Sequence, residues 1–139
     1  MSEYLFLYGT LRPEDAPEGI RPAVEGLRVV GEGSLPGRLY DLGEYPGAVI
    51  DPAAEQRIYG TIFELPGDET VLRRMDVYED FRSSEPEESL FLRVRQQVEL
   101  ASGGSLECWV YVYNLPPLGA RVVTSGRWRP RKNAAMETK

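Results

Sequence analysis

Residues 90–114, LFLRVRQQVELASGGSLECWVYVYN, decide the fold class. Leu90, Leu92, Val94, Val98 and Leu100 share one parity, while Arg93, Arg95, Gln97 and Glu99 share the other. That period of two is the signature of a strand with one core face and one polar face. The run LECWVYVYN that follows is dense in β-branched and aromatic residues, and the Gly-containing link from Ala101 to Ser105 is short enough for a β-hairpin. Outward from this hairpin, Gly and Pro cut the chain into strand-length pieces: EYLFLY, GLRVVGEGSL, GRLYDL, GAVID, RIYGTIFEL and ARVVTS, with turn signals such as PG and SGG between them. The protein is mostly β.

One segment breaks that pattern. PGDETVLRRMDVYEDF offers Asp68 as a helix N-cap after Pro66 and Gly67, places Glu69 in the first turn, and has no Gly or Pro from Thr70 to Tyr78. It predicts a helix over roughly residues 69–79. At 100° per residue, Val71, Leu72, Met75 and Tyr78 form a core-facing stripe, with Asp76 at its edge in a position that reads as solvated. A second short helix between Pro13 and Glu25 is interrupted by prolines at 13, 17 and 22.

The length of 139 residues and a 42% hydrophobic content suit one domain with one real core. That domain spans residues 1–128, and a flexible tail follows over 129–139. The net charge is −6, and the basic cluster Arg127, Arg129, Arg131 and Lys132 falls at the end of the chain, so nucleic acid is not an expected partner. No apolar stretch approaches the ~20 residues of a membrane span, and the start lacks a signal-peptide pattern. The expectation is a cytoplasmic protein without a membrane partner. The single cysteine, Cys108, lies in an apolar run and reads as a buried core thiol.

The histidine count is zero. A Ser-His-Asp triad, a Cys-His pair and an imidazole zinc site are all excluded, and one cysteine cannot build a thiolate metal cluster. Glu85, Glu87 and Glu88 match no calcium loop and read as a solvated acidic loop, so no metal and no cofactor is expected. Any catalysis must come from carboxylates, hydroxyls, arginines and backbone amides.

Two features offer such groups. The apolar strand Tyr4 to Tyr8 stops at Gly9, where a residue without a side chain lets the backbone approach a ligand and successive N–H groups can bind an anion. The same tripeptide, YGT, recurs inside RIYGTIFEL, so taken alone the stretch reads first as a plain turn. Glu79 falls between Met75 and Leu72 on the helical stripe if the helix continues that far; a carboxylate facing inward has its pKa raised and can act as a general base. If the helix stops near Tyr78, Glu79 is an ordinary acid at its end.

Taken in order, YGTLR, GRLYDLGEYPGAV, IYGTIFEL, RRMDVYEDF, LFLRV, CWVYVYN and SGRW resemble the γ-glutamylcyclotransferase-like family over about residues 4–128. This family includes the γ-glutamylamine cyclotransferases and the plant avirulence-induced proteins. The resemblance implies an α+β fold, a small closed or nearly closed mixed β-barrel with few helices and a cavity at one end. It also implies a substrate loop of Tyr8, Gly9, Thr10 and Leu11. The family's catalytic glutamate, in Leu-Asp-x-x-Glu-Gly, corresponds to Glu79 in Met75-Asp76-Val77-Tyr78-Glu79-Asp80.

The implied substrate is a small γ-glutamyl compound whose own α-amine attacks its γ-carbonyl, releasing 5-oxoproline and an amine, with Glu79 moving protons and no metal involved. Arg93, in the family's Tyr-x-Arg motif, is available to pair with a substrate carboxylate; on its own it is an exposed strand arginine. Tyr40 and Tyr113 line the cavity or simply pack. The chain departs from the family pattern at Asp80 for glycine, Phe91 for tyrosine and Arg127 for aspartate. A non-catalytic module that binds a metabolite or partner in the same cavity is the alternative reading, and a hydrolase or amidotransferase acting on γ-glutamyl amides is chemically close.

Overall fold

β1 (Tyr4–Leu7) is buried on both faces, which is why its sequence has no polar alternation. Phe6 and the following Tyr8 point into one apolar cluster, Leu5 and Leu7 into another. The computed structural model describes residues 3–9, 22, 24, 26–43, 45–67, 70–78, 89–117 and 119–128. Among them lie β2 (Arg28–Asp41), β3 (Pro46–Ile50), β4 (Arg57–Glu64), α1 (Thr70–Tyr78), β5 (Phe91–Leu100), β6 (Ser105–Tyr113) and β7 (Arg121–Val122).

Five strands close a mixed barrel in the order β2-β4-β1-β6-β5, and β5 returns to β2. All of these pairings are antiparallel except β1 with β6, which meet in parallel at Leu5 and Trp109. The closing seam is short, pairing Gly33 with Leu100 and Ser34 with Glu99. A Cβ on Gly33 would lie 2.9 Å from Val98 Cγ1 and 3.0 Å from the Glu99 carbonyl oxygen, so only glycine lets the two strands meet.

The barrel interior is filled by Phe6, Leu35, Ile58, Ile62, Val98, Cys108 and Val110, one or more from each strand. A second apolar layer lies outside, where Leu72 and Met75 of α1 cover Leu5, Leu7, Phe63, Phe91 and Tyr111.

The expected hairpin forms, with β5 and β6 in register from Phe91 opposite Tyr113 to Glu99 opposite Ser105. Gly103 and Gly104 take positive φ in the link. The apolar parity of β5 faces the barrel interior through Val98 and Leu100, whereas Leu90 precedes the strand and packs against the helix-side layer.

Two expected strands, GLRVVGEGSL and GRLYDL, are one. β2 runs through Pro36 and Gly37, changing partners there from β4 to β3. The PG pair, a turn signal on its own, here marks a barrel corner, and Gly37 keeps a backbone bond to the Gln56 carbonyl. The eighth expected strand, ARVVTS, shrinks to β7, which pairs with Tyr40 and Asp41.

The helix stripe is as expected at Leu72 and Met75, with Val71 packed beside them. Its proposed cap Asp68, and Glu69, lie outside the described residues, as does the tail over 129–139. Pro22 and Val24 have helical backbone within the segment where a second short helix is allowed; the rest of residues 13–25 is outside the described residues except Pro22 and Val24.

Candidate active site

The end of β1 is fixed by its last aromatic residue. Tyr8 is 6% exposed, and its hydroxyl donates to the backbone carbonyl of Tyr111 on β6. Gly9 follows, buried against the start of β3: a Cβ there would sit 2.8 Å from Pro46 Cγ. The close approach foreseen for Gly9 is therefore to the protein's own Pro46. Thr10 and Leu11, the rest of the expected substrate loop, lie outside the described residues.

Beside this strand end stands an aromatic wall. The Phe91 ring meets Tyr45 edge-on at 5.9 Å between centroids and Tyr113 at 5.5 Å. Gly47 admits the Tyr113 side chain, whose Cβ would lie 3.0 Å from a Cβ at that position. Tyr113 thus packs within the wall, and Tyr40 sits half-buried opposite Gly47 in the β2–β3 ladder. Phe91 is 4% exposed and contributes a ring to this wall.

The last turn of α1 joins the same region through Asp76. Arg93 Nε donates to Asp76 Oδ1 at 2.8 Å and its Nη2 to Oδ2 at 3.2 Å, a two-pronged pair whose side chains are 17% and 18% exposed. The Tyr111 hydroxyl adds a third bond to Oδ1 at 2.7 Å. Asp76 is not solvated as its place on the helical wheel suggests, because the polar parity of β5 passes directly beside that edge of the helix. Arg93 is covered as well, its guanidinium 4.3 Å from the centroid of the Trp109 ring. Arg95 approaches the same ring at 4.2 Å. The Trp109 indole N–H donates to Glu3 at 3.0 Å, and this bond, with Arg95 adding to it, holds the Glu3 carboxyl below its ordinary range.

Glu79, the expected catalytic carboxylate, lies one residue beyond the described end of α1 and outside the described residues. The structure links Tyr8 and Arg93 through Tyr111 of β6, Tyr8 by a direct hydrogen bond and Arg93 by way of Asp76, while Gly9 follows Tyr8 and lies against Pro46 of β3. Two further residues join them: Asp76, whose place on the helical wheel reads as solvated, and Tyr111, which no motif singles out. The alternation of Trp109, Tyr111 and Tyr113 along β6 was the available signal: three amphipathic rings on one face of a strand call for polar partners at their tips.

A separate groove of about 410 Å³ runs over the outer wall of β2, β4 and β5. Arg57, Tyr59, Glu99 and Arg127 are among its lining residues, and none of the expected site residues is. Among the described residues, no helix is long and apolar enough to cross a membrane.

This architecture is shared with known proteins. The YtfP protein of Citrobacter rodentium, named a γ-glutamylcyclotransferase family protein, is 29% identical over 128 residues, covering 91% of this chain and 96% of the relative. Its counterpart in Escherichia coli K12 is 28% identical with the same coverage. The crystal structure of an AIG2-like protein from Mus musculus matches with a TM-score of 0.70 at 25% identity, over 95% of this chain and 98% of its own. The sequence pattern of the family described as "Gamma-glutamyl cyclotransferase, AIG2-like" matches residues 5–130, and the chain belongs to that family.

Proposed function

We propose that this protein is a γ-glutamyl cyclotransferase. One observation supports this reading beyond family membership: the strand end that leads into the loop and the helix turn that leads to Glu79 converge on a single residue. Tyr111 accepts a bond from Tyr8 at its carbonyl and gives one to Asp76 from its hydroxyl. Two segments separated by about 70 residues in sequence are thereby referenced to one point on β6.

In the proposed reaction, the α-amine of a γ-glutamyl amine or peptide attacks the γ-carbonyl carbon. A lactam C–N bond forms, the original amide C–N bond breaks, and 5-oxoproline and a free amine result. The α-ammonium gives up two protons over the reaction and the departing nitrogen gains two, so Glu79 begins and ends in the same state. Glu79 takes a proton to free the attacking amine and returns it to the leaving nitrogen, then relays the second proton from the ring nitrogen of the adduct to the same atom, which departs as an ammonium. Amides of the loop from Gly9 to Leu11 bind the substrate carboxylate or the developing oxyanion. The nucleophile is part of the substrate, so ring closure draws on proximity as well as on these groups and needs neither a covalent intermediate nor a metal.

The test is release of 5-oxoproline from γ-glutamyl-alanine, ε-(γ-glutamyl)lysine and γ-glutamylputrescine, run in ¹⁸O-labelled water. The reading predicts 5-oxoproline without label in its ring carbonyl. Labelled glutamate would mark a hydrolase instead, and binding without turnover a non-catalytic module.

A further inference from the structure

Arg93 occupies the position at which family resemblance offers a partner for a substrate carboxylate, yet its guanidinium already has a carboxylate. Two of its donors reach both oxygens of Asp76, the Trp109 ring covers it at 4.3 Å, and little of the side chain meets solvent. Asp76 in turn holds the Tyr111 hydroxyl. An ion pair this sheltered is costly to break, because little water reaches either charge to replace its partner. A substrate would have to compete with a fork that fits the guanidinium in two places.

We propose that Arg93 is a positioning residue: with Tyr111 it fixes Asp76, and through Asp76 the chain that delivers Glu79 three residues later, without touching substrate. This rests on the cyclotransferase reading. Three residues span at most about 11 Å of chain, so anchoring Asp76 bounds where Glu79 begins. The reaction is far less tolerant than that bound, since a displacement of about 1 Å at a reacting group can cost roughly 100-fold in rate. A substrate-binding arginine and a positioning arginine therefore lose activity differently, the first in KM and the second in kcat.

The experiment compares the full chain with Asp76→Asn, Arg93→Gln and the double variant in steady-state 5-oxoproline release from the best of the three γ-glutamyl probes, across pH. Each single variant should lower kcat by roughly 10- to 100-fold with KM changed less than about threefold. The double variant should be no worse than the weaker single, because either change alone breaks the fork.

The acid limb of the kcat profile should move in opposite directions. Arg93→Gln removes a positive charge and so raises the pKa of a nearby base, whereas Asp76→Asn removes a negative charge and so lowers it. Arg73 and Arg74 on α1, Arg95 on β5, Tyr111 on β6 and Glu3 beside Trp109 are the same in both variants, so the difference in sign belongs to the pair. Partial unfolding would lower both rates without that opposition.

If Arg93→Gln folds poorly, Arg93→Lys, which keeps the cation and loses the fork, should show an intermediate kcat at unchanged KM. A tenfold or larger rise in KM for Arg93→Gln or Arg93→Lys, with Asp76→Asn close to wild type, would overturn the proposal while leaving the cyclotransferase reading intact. Absence of turnover in the wild type would overturn both.

Discussion

Tyr111 carries two unrelated jobs at one position, and neither is legible in the residue itself. Its ring sits in the helix-side layer, its hydroxyl reaches Asp76 and its carbonyl receives Tyr8. The sequence points to Gly9 and Glu79 by local pattern and to Arg93 by family resemblance, but a partner such as Asp76 depends on which strand passes the edge of the helix.

Cys108 is the opposite case, legible from its apolar neighbours and found 1% exposed in the barrel interior. Burial pushes its thiol up to about 12, with the charge of Glu107 adding to the effect. In the unfolded chain the value returns to about 9.0, so between those values the unfolded state has already lost its proton while the folded state has not. Stability from this group is intact below about pH 9 and is lost as pH rises toward 12. Iodoacetamide at pH 8 should leave the native thiol unmodified and alkylate it fully in denaturant; rapid native alkylation would contradict the placement.

At the level of elements, α1 shows what periodicity can and cannot provide. The stripe of Leu72 and Met75 follows from spacing and is buried against β1 and β4. Met75→Ala should cost about 2–5 kcal/mol by emptying a fully buried site. Val77→Ala, on a residue 81% exposed, should stay within about 0.5 kcal/mol. Urea melts with a common m-value measure both, and equal losses would mean the helix presents a different face. β2 shows the limit from another direction: Pro36 and Gly37 are locally a turn, and only the change of partner from β4 to β3 makes them a corner inside one strand. Long-range pairing is not written in a local dipeptide.

For the whole molecule, closure of the barrel depends on the short seam between β2 and β5. Gly33→Ala puts a methyl against the Val98 side chain and the Glu99 carbonyl, and the backbone oxygen has little room to retreat. A loss of about 1–3 kcal/mol in unfolding free energy, read from a lowered urea midpoint at unchanged m-value, is expected, and an unchanged midpoint would mean that the seam gives way easily. The barrel brings β1, β5 and β6 side by side, with α1 packed across them, so that Tyr8 and Asp76 meet at Tyr111. That convergence underlies the proposal of an intramolecular cyclisation served by one carboxylate. The most direct test of it is the rate of 5-oxoproline release by Glu79→Gln beside the wild type. A fall in kcat of roughly 100- to 10,000-fold with the fold intact is the predicted result, and turnover by Glu79→Gln at the wild-type rate would contradict it.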